Sequence, residues 1–568
     1  MRWFPCLLLS ILIPLVPLDA APRAEMRGLW VGTNTFNTPA AVADVVDRAA
    51  AAHLNALYPI VWYNGGQAWY RSKLCPLAEQ VAPGFDPLGE MVKLAHARGL
   101  QVHAWFVNGS YGWAAKGIFD QHPDWALQPL RPTKPGWYDL GQPEVRRFET
   151  DVMIECLRNY DVDGIHFDYI RYDGQGYCYC EHCQREFAQR TGLPPLSKDA
   201  GAAPAAMDLS ANPLGEPTTA QILATFDHGV VAVALNKLGS GEAALLNWMA
   251  ANSANPAVDA LVTKLLRRFG AGADNVYQLR TSQTAAKYNI SYQTAGADWL
   301  KALGYAPRVI DETKLDQAPP QGTIVLFGQY YMDEATAEKL EQFVQGGGHA
   351  LFVDGPVFAI KLPALQRVLG MNGTAPYFRG LHALQAAPNQ DLVPPGPPVD
   401  LEAERHRREQ WVEYRKWTVT ELVRGVYREA KQTKPQAQVS AAVFYKREAA
   451  DSVCQDWYGW LKEGIIDYVV PMAYLMENAK LQEALEEWRA ADPTMARIIP
   501  GLSLYQKDGG TTASRPRELV LSQVELCRSL GARGNLFFAS NHLNEDLVAA
   551  LSGGPYAEPA QPYTPEAK

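Results

Sequence analysis

From residue 25 onward, short runs of consecutive apolar residues alternate with longer stretches whose apolar positions recur at helical spacing. Continuous apolar runs of five to eight residues fit strands buried on both faces, and 3.6-residue periodicity fits the amphipathic helices that cover them. The runs predict strands at Gly28–Thr33, Ala56–Val61, Gln101–Val107, one ending in Asp168, Val439–Phe444, Asp467–Tyr474, Ile498–Leu504 and Gly534–Ser540. Helices are predicted between them at about Ala40–His53, Pro87–Arg98, Pro143–Tyr160, Trp411–Lys431, Ser452–Lys462, Lys480–Ala491 and Arg517–Leu530. Asn37-Thr-Pro reads as a helix start, and Gly99 and Gly531 read as helix stops. Eight strand–helix units in parallel order give an α/β chain of the (β/α)8 TIM-barrel class. An open doubly wound sheet fits less well, because no glycine-rich phosphate loop follows the first strand.

The rhythm breaks once, between the fourth and fifth strands. Pro-rich segments at Leu193–Pro217 and Pro388–Val399 bracket a stretch with its own strands at Val230–Ala234, Asn275–Leu279, Arg308–Ile310, Thr323–Phe327 and Ala350–Val353. The reading is a flavodoxin-like α/β domain inserted over residues 193–400. The first half of the barrel then covers residues 25–192 and the second half 401–552, with a disordered tail over 553–568.

Composition adds limits. At 568 residues, 47% hydrophobic and with a net charge of −9, the chain is globular and offers no basic surface for nucleic acid. Arg2, the apolar run from Cys6 to Leu18 and the small residues Ala20 and Ala21 read as a secretory signal peptide over residues 1–20. The alternative is an uncleaved anchor. The run is too short for a comfortable transmembrane span, and no later stretch looks membrane-spanning. The expected location is therefore outside the cytoplasm, secreted or periplasmic.

In a parallel barrel, chemistry gathers where strands end. Asp163-Gly-Ile-His-Phe-Asp168-Tyr-Ile-Arg171 passes from a buried strand to a cluster of polar groups, and His166 and Asp168 lie two apart, on one side of the strand. Other strand ends or their loops supply Trp30, Trp62, Tyr70, His103, Trp105, Asn108, Tyr169 and Tyr474. Together these describe a pocket with aromatic walls and few charges, suited to a sugar. A carboxylate at that place makes Asp168 a default catalytic candidate, as nucleophile or base. Glycoside hydrolysis usually takes a second carboxyl group. Glu477 after the sixth strand is the first candidate for the acid and Glu448 after the fifth is its competitor. His103, Asn108, His166 and Arg171 are expected to bond sugar hydroxyls or hold Asp168 ionised.

Glu25-Met-Arg-Gly-Leu-Trp30, Ala95-His-Ala-Arg-Gly-Leu-Gln-Val-His-Ala-Trp105, Asn159-Tyr-Asp-Val-Asp-Gly-Ile-His-Phe-Asp168 and Asp467-Tyr-Val-Val-Pro-Met-Ala-Tyr474 resemble the glycosyl-hydrolase-like family 10 proteins. The resemblance covers most of residues 25–185 and, less densely, 410–545, with the insertion outside it. It implies an exported glycoside hydrolase acting on a polysaccharide, peptidoglycan glycan strands among the options, with Asp168 as the leading carboxylate and no cofactor required for catalysis. The reading from a different class is a non-catalytic glycan-binding protein on a degenerate barrel. The insertion resembles the glutamine-amidotransferase-like domain that accompanies several glycosidase barrels. It contains no cysteine, so the amidotransferase nucleophile is missing and a scaffold or oligomer-forming role is expected.

Cys178-Tyr-Cys180-Glu-His-Cys183 raises a separate question. Cys-x-x-Cys can span one corner of a tetrahedral zinc, with Cys75, His182 or water as the fourth ligand. A disulfide is the equal alternative in an oxidising compartment. Cys156, Cys454 and Cys527 fall within predicted helices and read as buried thiols.

Overall fold

The computed structural model describes all residues except 1–22, 113–117, 129–135, 175–177, 196–206, 212–215, 227–228, 249–255, 288–290, 357, 373–377, 394–399, 509–510 and 566–568. The expected signal peptide thus lies outside the described residues. The chain divides into two compact units, one of residues 1–126, 135–175 and 415–568, the other of residues 127–134 and 176–414.

The first unit is built on eight parallel strands: β1 (Met26–Val31), β2 (Ala56–Tyr63), β3 (Gln101–Val107), β4 (Gly164–Asp168), β5 (Gln438–Val443), β6 (Tyr468–Pro471), β7 (Gly501–Ser503) and β8 (Gly534–Phe538). Their order is β6-β5-β4-β3-β2-β1-β8-β7. Parallel bridges Val469–Ile498 and Met472–Gly501 join β6 to β7 and bring the sheet round to near closure as a barrel. All but the ends of these strands are buried, because the barrel interior lies on one face and helices on the other. The helices start where local chemistry dictates: Thr38 and Asp86 cap Pro39–Ala51 and Pro87–His96 through their side-chain oxygens, each with proline in the first turn.

Side chains fill the barrel in layers. Deep in the interior, Tyr58 stacks on His103 with ring centroids 4.6 Å apart, and its hydroxyl meets that of Tyr468 at 2.6 Å. Gly28 leaves the room this layer takes up: a Cβ there would sit 2.6 Å from Leu536 and 2.9 Å from Tyr58.

Two local expectations change. The helix expected over Ser452–Lys462 is two short helices, Arg447–Ser452 and Trp457–Glu463, broken where Cys454 takes φ 60° and Asp456 caps the second. Cys454 is buried, but in a turn. The tail expected to be disordered is instead built in as far as residue 565. Strand Ala560–Gln561 pairs in parallel with Arg23–Ala24, and Tyr556 is fully buried. Arg27 explains this, donating to the backbone oxygen of Glu558 at 3.0 Å while its guanidinium lies 4.3 Å from the Tyr556 ring centre.

The second unit carries its own eight-stranded sheet. Arg308–Asp311, Val276–Arg280, Thr323–Phe327, His349–Val353 and Gly241–Leu246 run parallel, and Val231–Leu238, Gln221–Phe226 and Leu384–Ala386 extend the sheet antiparallel. Ala244 and Leu246 face one apolar core with Trp248 and Trp299, and Ala243 and Leu245 face the other with Leu340 and Leu365. The antiparallel strands add to the expected strand–helix units; the Gly239-Ser240 turn, with Gly239 at φ 61°, makes the hairpin. Among the described residues no helix is long and apolar enough to cross a membrane.

Candidate active site

A cavity of about 630 Å³ opens at the C-terminal ends of the barrel strands. Asp168, the last residue of β4, lines it and is only 6% exposed. Trp30 from β1, Trp105 from β3, Tyr169 after β4 and Tyr474 after β6, all singled out in the sequence, line it too.

The Asp168 carboxylate accepts twice. Oδ1 takes the backbone N–H of Tyr169 at 2.7 Å, and Oδ2 takes the indole N–H of Trp105 at 3.1 Å. Burial pushes this carboxyl up to about 6, against the opposing pull of the Tyr169 N–H, the Arg171 charge and the Trp105 N–H. A carboxyl in such surroundings keeps its proton at higher pH than a solvated one, the condition for a proton donor near neutrality. Tyr169 turns the chain here with φ 50°, a left-handed conformation that costs a bulky residue about 1–3 kcal/mol. That turn brings its own N–H onto Asp168 and leaves its ring 40% exposed at the cavity. Arg171 does not line the cavity. Its guanidinium is packed against the rings of Trp137, Tyr169 and Phe444 at 4.7, 4.8 and 5.1 Å, so it acts on Asp168 as a nearby positive charge.

Several expected site residues lie elsewhere. His166 is fully buried one layer deeper, accepting from Trp30 Nε1 at 3.1 Å through Nε2. Its proton therefore sits on Nδ1, which meets Ser440 Oγ at 2.8 Å. Burial holds His166 well below the usual histidine range and brings His103 down to about 4, so both are neutral structural rings. Asn108 is buried on Glu149 at 2.9 Å and reaches Asp168 only through its backbone N–H, which donates to the Asp168 carbonyl at 2.8 Å. Tyr70 donates to the Val152 carbonyl behind the sheet, and Trp62 stacks on Tyr138. Glu477 is an exposed residue at a helix start, paired with Lys480 at 2.6 Å, and does not line the cavity. Glu448 is likewise exposed and away from it.

Residues not anticipated complete the cavity: Tyr63, Ser110, Trp137, Tyr505 and Phe538. Tyr63 replaces its neighbour Trp62 because the β2–β3 register shifts between Ile60 and Trp62, which reverses the in–out alternation at the strand end. Phe538 stacks on Tyr474 at 5.4 Å and braces it from the side. The buried Arg515 holds the same segment from below, donating to the Tyr474 and Leu475 carbonyls at 3.2 and 2.8 Å. A second cavity of about 540 Å³ shares Tyr474 and Tyr505 with the first and adds Gln506, Lys507 and Arg515.

The cysteines sort into two kinds. Cys178, Cys180 and Cys183 are buried together with their sulfur atoms within 4.8 Å of one another. Neither Cys75 nor His182 joins this group. Cys75 lies in the loop after β2, where burial pushes its thiol up to about 12. No disulfide joins any of the described cysteines.

Comparison with known proteins supplies the family. Glycosyl hydrolase DigH of Escherichia coli (strain K12) is 28% identical over 185 residues, covering 25% of this chain and 41% of that protein. Glycosyl hydrolase YngK of Bacillus subtilis (strain 168) is 31% identical over 195 residues, covering 29% of this chain and 38% of that protein. The chain thus spans about two fifths of the length of these curated relatives. The PgaB (BpsB) glycoside hydrolase domain of Bordetella bronchiseptica superposes over 93% of this chain and 98% of that domain, at 11% identity and a TM-score of 0.44. The sequence profile of the family described as Glycosyl hydrolase-like 10 matches residues 25–313 and 385–513. The match runs through much of the stretch expected to lie outside the resemblance. With well over half of its residues matched, the chain belongs to the glycosyl hydrolase-like 10 family.

Proposed function

We propose that this protein is an exported glycoside hydrolase that cleaves a polysaccharide, with Asp168 as its catalytic carboxyl group. The observation that carries the reading is a single buried carboxyl, raised to about 6, at the floor of an aromatic cavity at the barrel's strand ends. Trp30, Trp105, Tyr474 and Phe538 offer the flat apolar faces on which sugar rings pack, and Tyr63, Tyr169, Tyr505 and Ser110 offer hydroxyls for hydrogen bonding. The raised pKa shifts the role of Asp168 from base or nucleophile toward proton donor to the leaving oxygen. The adjoining cavity that shares Tyr474 and Tyr505 supports a chain of sugars over a single ring. Peptidoglycan glycan strands are the first substrate to try. Residues 193–400 are read as an amidotransferase-like insertion with a scaffold role.

The test is product release followed by mass spectrometry. The full chain without residues 1–20 is incubated with peptidoglycan, with stem-peptide-free glycan strands and with a panel of other polysaccharides, Asp168→Asn alongside. A hydrolase releases oligosaccharides from one of these, and the variant loses about 10²–10⁴-fold in rate while keeping affinity. The second reading, a glycan-binding protein, rests on the position of Glu477 and Glu448 away from the cavity. Binding of one glycan without product from the unaltered protein establishes that reading and overturns the first.

A further inference from the structure

We propose that Cys178, Cys180 and Cys183 bind one structural zinc ion. The three sulfurs lie within 4.8 Å of one another and the residues are 1%, 3% and 1% exposed. Zinc–thiolate bonds of about 2.3 Å in tetrahedral geometry place ligand sulfurs about 3.8 Å apart, so the cluster needs only a small contraction to close on an ion. The backbone prepares it for negative charge. Cys180 caps helix Glu181–Thr191 and its Sγ accepts the N–H of Cys183 at 3.3 Å, while Cys178 Sγ accepts the N–H of Gln128 at 3.2 Å. Such N–H···S bonds and a helix N-terminus favour thiolate ligands and fix their direction. Tyr179 N–H bonds the Gln128 carbonyl at 2.8 Å, so the loop between the first two ligands is tied to the same short segment.

Three cysteines also suit a metal better than a disulfide: pairing any two would strand the third as a buried thiol. Binding is a proton exchange with no oxidant. Three S–H bonds break, three Zn–S bonds form and three protons leave, and a non-cysteine donor supplies the fourth ligand. None of the three lines the catalytic cavity, so the ion is structural. The other described cysteines, Cys75, Cys156, Cys454 and Cys527, stand outside the cluster and serve as controls.

The experiment uses the full chain purified without chelator. Elemental analysis is expected to give one zinc per chain. A mercurial thiol reagent should release it in step with thiol modification, a readout that needs no variant to fold. Cys178→Ser with Cys183→Ser should lose the metal, and Cys527→Ala should keep it. Cobalt exchanged into the site should show the intense thiolate-to-metal absorption of tetrahedral sulfur ligation. Absence of stoichiometric zinc, zinc retained in the double variant, or a disulfide between any two of the three in non-reducing peptide maps would overturn the proposal.

Discussion

The indole of Trp105 and the carboxylate of Asp168 face each other across neighbouring strands, Nε1 to Oδ2 at 3.1 Å. In register, Trp105 lies opposite His166 and Val107 opposite Asp168, so the indole leans up one layer to reach the carboxylate. The bond favours the ionised form and works against the burial that raises the pKa.

Trp105→Phe should therefore raise the pKa of Asp168. A hydrogen bond to a charged group contributes about 1.5–3 kcal/mol, and one pKa unit corresponds to about 1.4 kcal/mol. With Asp168 as proton donor, as proposed, activity should fall above about pH 6 in the unaltered protein. The variant should move that falling limb upward by about one pH unit or more. The pH profile of kcat/KM on a soluble oligosaccharide checks it; an unmoved limb would remove Trp105 from the control of this proton.

Stability gives an independent view of the same group. The pKa of Asp168 is raised from 3.8 to about 6, so the folded protein holds this proton more tightly than the unfolded chain. The resulting stabilisation is full below the ordinary value and is lost as pH rises through about 6. Asp168→Asn lacks this loss. Its stability relative to the unaltered protein should increase between pH 4 and 6 and level off above, by at most about 3 kcal/mol. Denaturant unfolding of both proteins across that range measures it, and a constant difference would mean that Asp168 is not the group titrating there.

Glu477→Gln should leave turnover unchanged and alter stability by no more than about 0.5 kcal/mol, since an exposed ion pair to Lys480 contributes little. Loss of activity with unchanged folding would return Glu477 to the catalytic pair.

Tyr556→Ala should destabilise the barrel by about 3–5 kcal/mol, the usual cost of emptying a buried aromatic site. The ring lies under Arg27, and its hydroxyl bonds Asn535 of β8 at 2.8 Å. Urea midpoints compare the two proteins; a change below about 1 kcal/mol would show that the last segment is not integral to the barrel.

Much of the barrel could be read in the sequence because its strands are apolar throughout. Gln101–Val107 is the same strand in sequence and in structure, and Thr38, within Asn37-Thr-Pro, announces its helix by chemistry that acts over three residues. The site was legible in direction but not in depth. Alternation puts His166 and Asp168 on one side of β4, but only Asp168 reaches the cavity. Spacing along a strand carries no information on which layer of a closed barrel is the top one. The bulge that exchanges Trp62 for Tyr63 depends on pairing with a strand some 40 residues away. Trp137 lies outside any strand, where no periodicity marks it. The tail differs for a related reason: its short strand pairs with Arg23–Ala24, more than 500 residues earlier.

That pairing has a practical reach. Residues 23–24 lead into the N-terminal end of β1, and residues 560–561 lie beside them, while the cavity opens where the strands finish. Whatever is attached beyond either of these points, whether an affinity tag, a fluorescent fusion or a link to a solid support, departs from the face of the barrel opposite its mouth. A tether joined at either of these points thus starts on the side of the barrel away from its cavity.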